Sequence, residues 1–103
     1  MEIVKDVYDA VRAFPQCELY GLASQMQRSA VSIPSNVAEG FNRFHNKEYK
    51  QLLYIALGSC AELETQGEIA SELKYMDDKK KDCLLEKLDH ESRMVRNLIK
   101  KLG

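Results

Sequence analysis

A long segment without proline constrains the fold of this chain more than any other feature. It runs from Lys47 to about Tyr75, and in its first half the apolar residues occupy most of the helical circumference. They are Tyr49, Leu52, Leu53, Ile55, Ala56, Leu57 and Cys60, followed by Leu63, Ile69 and Leu73. A helix of this kind has to be covered on more than one side. The pattern predicts either an unusually deep position or contact with a second subunit, which we favour.

Two further helices are predicted at the ends of the chain. Helical spacing of apolar residues begins at Ile3 and reaches Phe14, where Pro15 ends the helix because the residue before a proline disfavours α geometry. A short connection follows. The last helix begins at Asp77 or Asp78, whose carboxylates suit a helix N-terminus. It ends near the carboxyl terminus with the cations Lys100 and Lys101 and contains the apolar stripe Leu84, Leu88, Val95, Leu98, Ile99 and Leu102.

A helix that contains a proline is predicted between these elements. Its apolar stripe is Leu22, Met26, Ile33, Val37, Phe41 and Phe44. Pro34 lacks an N–H and its ring crowds the carbonyl of Ala30, which costs roughly 3 kcal/mol inside a helix. Because the stripe continues past Pro34, we expect a kinked helix that ends near Gly40. Asn46 is the predicted N-cap of the following helix.

Four helices with short connections and no strand pattern predict an all-α, antiparallel up-and-down four-helix bundle. The 103 residues suit one domain, 1–103. Five glycines and two prolines are too few to form the turns that many short strands would need. The formal charge is −1, which does not favour a polyanion as partner. Three cysteines without a C-x-x-C pair favour a reducing cytoplasm. No signal peptide or membrane span is indicated, so no membrane partner is expected.

A polar ladder follows one face of the proline-containing helix. Steps of three and four residues join Arg28, Ser32, Asn36, Glu39 and Arg43, and the next helix offers Ser59, Glu62 and Gln66. The favoured interpretation is a buried or half-buried network that sets helix register, in which an arginine of the ladder pairs with Glu39 or Glu62. The alternative is a small polar pocket that contacts a ligand.

An enzyme is not expected. His45 lies in a polar connection and His90 on a charged helix, and neither has a nucleophile placed nearby in the sequence. A di-iron bundle needs Glu-x-x-His motifs, which the chain lacks. Cys60 is interpreted as a buried thiol. We therefore expect no metal and no cofactor.

Cations are concentrated near the carboxyl terminus. Residues 77–103 carry eight cations against six anions, whereas residues 51–76 carry one cation against four anions. The candidates for nucleic-acid contact are Lys79, Lys80, Lys81, Lys87, Arg93, Arg96, Lys100 and Lys101. The favoured interpretation is a solvated face interleaved with carboxylates, and phosphate binding is the alternative.

Two motifs carry a resemblance to a known family. They are Ser32-Ile33-Pro34-Ser35-Asn36 running into Ala38-Glu39-Gly40, and Ala56-Leu57-Gly58-Ser59 with Glu62 one turn later. The chain resembles the four-helix-bundle proteins of the 23S ribosomal RNA intervening-sequence family, and the resemblance implies a ring-like homopentamer. A related bundle, the accessory protein of diversity-generating retroelements, engages nucleic acid with a basic surface. The family commonly has two arginines where this chain has Gln27-Arg28, which weakens that interpretation here.

The expected function is therefore that of a non-enzymatic interaction or scaffold protein. It would form a homo-oligomer, a pentamer on the implied assembly, and bind an unidentified protein partner. The alternative is weak, salt-sensitive RNA or DNA binding by basic strips repeated around the ring.

Overall fold

The structure is a computed structural model that describes residues 2–103. Within that range it contains four α helices, one 3-10 turn at Gln16–Glu18, and no strand. The α helices are α1 Glu2–Val11, α2 Leu22–Phe41, α3 Asn46–Glu72 and α4 Asp78–Lys101. They contact one another in ring order, with α1 closing the ring against α4, and the bundle measures 43 × 24 × 18 Å. The predicted all-α four-helix bundle is confirmed.

Helix α1 is much shorter than its neighbours and ends before the residue that was predicted to stop it. The helix ends at Val11, and two tight turns then carry the chain to Phe14. Phe14 is buried, and its ring centroid lies 5.3 Å from that of Tyr75. The turn, rather than Pro15, therefore aims this aromatic side chain into the core.

Helix α2 continues through Pro34, as predicted. Ala30, one turn before the proline, and Ile33, directly before it, are fully buried, so packing holds this part of α2 in place despite the missing backbone donor. The kink at Pro34 stays a prediction.

The N-termini of α3 and α4 are capped differently. Helix α4 begins at Asp78, in agreement with the predicted start at Asp77 or Asp78, and Asp77 is the N-cap: its Oδ1 accepts a hydrogen bond of 2.8 Å from Lys80 N. At α3 the predicted cap is wrong: His45 occupies the N-cap position and its side chain makes no capping hydrogen bond. Asn46 is the first helical residue instead, and its Nδ2 donates to the Leu102 carbonyl oxygen at 3.4 Å. The Asn46 side-chain amide therefore binds the end of α4 instead of capping α3.

Helix α3 ends at Glu72, before the predicted Tyr75. Lys74 follows with a φ of 63°, in the left-handed region that normally holds glycine. Tyr75 N donates to Ala70 O at 2.9 Å, and Lys74 N donates to Ser71 O at 3.0 Å. These two bonds form a Schellman motif. Because no glycine marks it, the sequence pattern placed the end too late.

The core divides along the bundle axis. Around α1 it is a large apolar cluster that includes Val7, Met26, Ile33, Leu63 and Leu88, all fully buried. Beyond the start of α1 only three helices remain, and a smaller cluster is built there on Tyr49, Leu53 and Val95.

Candidate functional site

The contact between α2 and α3 carries a small cluster of polar side chains, which we call the seam cluster: Ser32, Asn36 and Ser59. Ser59 Oγ donates to Ser32 Oγ at 2.8 Å, which joins the two helices. Asn36 Nδ2 donates to Ser32 Oγ at 2.9 Å and to Ser32 O at 2.8 Å. Both serine hydroxyls and the Asn36 amide nitrogen are thus partnered within the chain, and the geometry fits the predicted role in setting register.

The charged members of the predicted network lie outside the seam cluster. Arg43 and Glu39 form an ion pair one helical turn apart, with 42% and 53% of their side chains exposed. The predicted pairing of a ladder arginine with Glu39 is therefore confirmed, at a half-exposed position. Glu39 lies in the last turn of α2 and Arg43 just beyond its end, where such a pair contributes less than about 1 kcal/mol.

Arg28 and Glu62 are both exposed in the chain. Within residues 2–103 neither side chain makes an ion pair or a hydrogen bond. The predicted pairing of an arginine with Glu62 does not occur inside the chain. The spacing of residues in the sequence could not exclude this pairing, because spacing identifies the face of a helix on which a residue lies but not the distance to a residue on another helix.

A shallow concavity accompanies each of these two charges. Arg28 lines one of 440 Å³ together with Tyr8, Ser24, Gln27, Val31 and Ser32. Glu62 lines another of 400 Å³ together with Gly58, Ala61, Thr65 and Gln66. Gln66 Oε1 is buried and accepts no hydrogen bond from residues 2–103. The second concavity therefore presents one exposed acceptor group, the Glu62 carboxylate, that lacks a donor in the described chain.

Two glycines differ in whether packing within the chain requires the absence of a side chain. A Cβ on Gly40 would lie 2.5 Å from Tyr49 Cδ1, so the approach of that ring requires glycine. A Cβ on Gly58 would meet no atom within 4 Å. Gly58 lies inside α3, where glycine costs about 1 kcal/mol relative to alanine, and packing within the chain does not account for it.

Three of the eight predicted nucleic-acid contacts are engaged by carboxylates. Lys87 binds Asp6 and Glu2 of α1, and these contacts raise its pKa above the ordinary range. Lys81 lies near Glu68 and Asp82, and Arg93 pairs with Asp89 at 2.7 Å. The remaining five make no ion pair with residues 2–103: Lys79, Lys80, Arg96, Lys100 and Lys101.

An exposed phenylalanine accompanies the cations at the carboxyl end of α4. Phe44, in the α2–α3 loop, is 98% exposed, and the contact of Asn46 with Leu102 brings that loop to the end of α4. The sequence pattern assigned Phe44 to the buried stripe of α2. Its flanking polar run, Asn42 to Asn46, was the available signal for a loop.

The cysteine and histidine beside the cavity between α1 and α4 do not form a nucleophile–base pair. The 550 Å³ cavity between α1 and α4 contains Cys83 and His90, but they lie seven residues apart on one helix. That separation is about 10 Å along the axis, too far for a nucleophile and its base. No group of three or more metal-ligating side chains lies together in the described range. Cys60 is buried as predicted, which raises the pKa of its thiol.

The described helices include none with the length and apolarity needed to cross a membrane. Several large apolar side chains are nevertheless exposed. On α3 they are Tyr54 (58%), Ile55 (52%) and Ile69 (43%). The surplus apolar surface predicted for this helix is therefore present on the outside of the chain.

The fold and these features define a helical-bundle protein with exposed apolar side chains on α3 and unpaired charges on its surface. Residues 1–97 match the family of the 23S rRNA-intervening sequence protein, and the chain belongs to this family. No curated protein matches the chain. One similar solved structure is a protein from Bacteroides thetaiotaomicron VPI-5482, described as being of unknown function and from the S23 ribosomal protein family. It is 19% identical, the match covers 95% of this chain and 98% of that one, and the TM-score is 0.78, which shows a shared fold.

Proposed function

We propose that this chain is a non-enzymatic protein of the cytoplasm that assembles with copies of itself into a ring, a pentamer on the assembly that the family resemblance implies. The observation that carries the proposal is the exposed apolar surface of α3, with Tyr54, Ile55 and Ile69. Burying one such side chain contributes about 1.5–3 kcal/mol. The three free cysteines fit a reducing compartment. An assembled ring would present its remaining surfaces in several copies to a protein partner.

The test is the mass in solution, measured by light scattering over a range of protein concentrations. We expect a stable mass near five times the 11.8 kDa of the chain. Ile55→Glu places a charge on the apolar face of α3 and should reduce the mass, whereas Lys79→Glu, on the first turn of α4, should leave it unchanged. A wild-type mass of 11.8 kDa at every concentration would contradict self-assembly.

A second candidate function is salt-sensitive binding of single-stranded nucleic acid at the carboxyl end of α4. Residues 92–103 contain four cations and no carboxylate side chain: Arg93, Arg96, Lys100 and Lys101. Phe44 is exposed nearby, and an aromatic ring beside cations is the usual arrangement for stacking a base while binding its phosphates. A ring would repeat this surface in every copy.

Binding of a fluorescent single-stranded RNA at low and high salt tests this candidate. Lys100→Glu with Lys101→Glu should weaken binding and flatten the salt dependence, by about 1.4 in the slope of log affinity if two phosphate contacts are lost. Lys79→Glu with Lys80→Glu changes the charge equally at the other end of α4 and is the control. Equal effects of the two double variants would contradict a site at the carboxyl end.

A further inference from the structure

We propose that Arg28 of one copy of this chain pairs with Glu62 of the next copy. This inference rests on the proposed self-assembly and names the surface through which it occurs: the exposed face on which α2 and α3 meet. Both charges are exposed, and within residues 2–103 neither has a partner of opposite sign. Each is therefore available to a second copy.

The two charges lie at the same level of the bundle. Arg28 precedes Ser32 by four residues, about 6 Å along α2, and Glu62 follows Ser59 by three residues, about 4.5 Å along α3. Because α2 and α3 are antiparallel and join at Ser32 and Ser59, both displacements point towards the same end. Arg28 on α2 and Glu62 on α3 thus flank the seam cluster at one level. When two copies lie side by side, Arg28 of one can therefore meet Glu62 of the other.

The surroundings of Glu62 suit a guanidinium. A guanidinium has five N–H donors in a planar fork, and two of them can bind the exposed Glu62 carboxylate side by side. The concavity at Glu62 is 400 Å³ and is also lined by Gly58, Ala61, Thr65 and Gln66, which leaves room for the Arg28 side chain of a second copy.

Gly58 provides a second, independent argument for a close neighbour. It lies one turn before Glu62 in the same concavity, and nothing within the chain approaches the missing side chain. A glycine inside a helix lowers stability, so its presence is accounted for by an atom outside the chain that approaches the α3 backbone. The apolar part of such a contact is supplied by Val31 on α2 and Ile55 on α3, both exposed.

The proposed ring requires a head-to-tail contact, in which the α2 side of this face on one copy meets the α3 side on the next copy. In a closed ring every Arg28 then has a Glu62 partner, and no charge remains unpaired at an edge. The same geometry explains why the sequence places two opposite charges on this face without joining them inside the chain.

Charge reversal tests the pair by light scattering at a fixed protein concentration, with circular dichroism to confirm that each variant is folded. Arg28→Glu and Glu62→Arg each place like charges together and should raise the dissociation constant on the order of 100-fold, the size seen for close charge pairs across interfaces. The double variant, Arg28→Glu with Glu62→Arg, restores the attraction and should recover the wild-type mass. Arg12→Glu, in the turn after α1 and outside this face, is the control and should keep that mass.

The outcomes separate this inference from the proposed function. A wild-type chain that is monomeric overturns both. An assembled wild type whose mass survives each single reversal overturns the pair and leaves self-assembly standing. A double variant that stays dissociated also overturns the pair. If single reversals change only the melting temperature, Arg28 and Glu62 interact within one chain, and the inference is overturned.

Discussion

Ser59 Oγ donates a hydrogen bond to Ser32 Oγ at 2.8 Å, and this contact joins α3 to α2 two residues before Pro34. Small hydroxyl side chains let the two helices approach closely where larger apolar ones would hold them apart. Asn36 then binds the same hydroxyl from the next turn. The polar contact therefore sits where α2 lacks a backbone donor and specifies which turn of α3 lies opposite the proline.

Removing the shared acceptor should destabilise the chain. Ser32→Ala deprives Asn36 Nδ2 and Ser59 Oγ of one partner each, although both keep a backbone carbonyl. We expect the free energy of unfolding to fall by about 1–2 kcal/mol, measured by urea denaturation. Ser35→Ala, on the exposed side of α2, is the matched control and should stay within about 0.5 kcal/mol. Equal effects of the two variants would contradict a structural role for the seam cluster.

The fold could be predicted because the apolar periodicity of each helix is strong and few residues interrupt it. Sequence alone placed α2 through Pro34 and the start of α4 at Asp77 or Asp78, since a continued apolar stripe and carboxylates at a helix start are local signals. It failed at Asn46, whose amide binds the carbonyl of Leu102, fifty-six residues away. A hydrogen-bond partner so distant in the sequence cannot be identified from the residues around Asn46.

The polar face where α2 and α3 meet was predicted only in part, because its contacts also depend on a neighbouring helix. Helical spacing brought Arg28, Ser32 and Asn36 onto one face, and the structure joins Ser32 to Ser59 and Asn36 to Ser32. Spacing cannot tell which charges reach across to the neighbouring helix. Either Glu39 or Glu62 was expected to pair with an arginine; the pair forms at Glu39, and the Glu62 side chain is exposed without a partner among residues 2–103.

The left-handed residue after α3 gives a prediction about stability. Lys74 has a φ of 63°, a conformation that costs an L-residue roughly 1 kcal/mol relative to glycine. Lys74→Gly should raise the free energy of unfolding by about 1 kcal/mol, measured in urea. Lys79→Gly makes the same change inside a helix and should lower it. A loss of stability in Lys74→Gly would mean that the lysine side chain contributes more than the backbone conformation costs.

The uncapped start of α3 gives a second such prediction. His45 occupies the N-cap with extended backbone angles, as a capping residue should, but its side chain makes no hydrogen bond to the first turn. His45→Asp supplies an acceptor for those free N–H groups and should add about 1 kcal/mol to the free energy of unfolding. His45→Ala is the control and should add less. Thermal melts of the two variants at neutral pH distinguish capping from mere removal of the imidazole.

Stability should fall in alkaline solution because three groups hold their protons more tightly in the folded chain. Burial raises the pKa of the Cys60 thiol, the hydrogen bond to the Glu18 carboxylate raises the pKa of Tyr75, and the contact with Asp6 raises the pKa of Lys87. A raised pKa means that the folded state binds more protons than the unfolded state. The free energy of unfolding therefore decreases as pH rises above the ordinary thiol pKa of 9.0.

Urea denaturation at a series of alkaline pH values measures this slope. Cys60→Ala should reduce its first part, and Tyr75→Phe should reduce the part that begins near the ordinary tyrosine pKa of 10.0. His90→Gln, on the exposed side of α4, is the control and should leave the slope unchanged. A free energy of unfolding that stays constant through this range would contradict the assignment.

Gly58 should respond to alanine with effects of opposite sign on the chain and on the assembly. In the Arg28→Glu background, which we expect to be dissociated, Gly58→Ala should raise the free energy of unfolding by about 1 kcal/mol through helix propensity alone. With Arg28 intact the added methyl group should weaken association, seen as a lower mass in light scattering. Gly40→Ala is the contrast: its Cβ meets the Tyr49 ring, so it should destabilise the chain by about 1–3 kcal/mol in both backgrounds. If Gly58→Ala stabilises the chain and leaves the mass unchanged, no neighbouring copy approaches α3 at this residue.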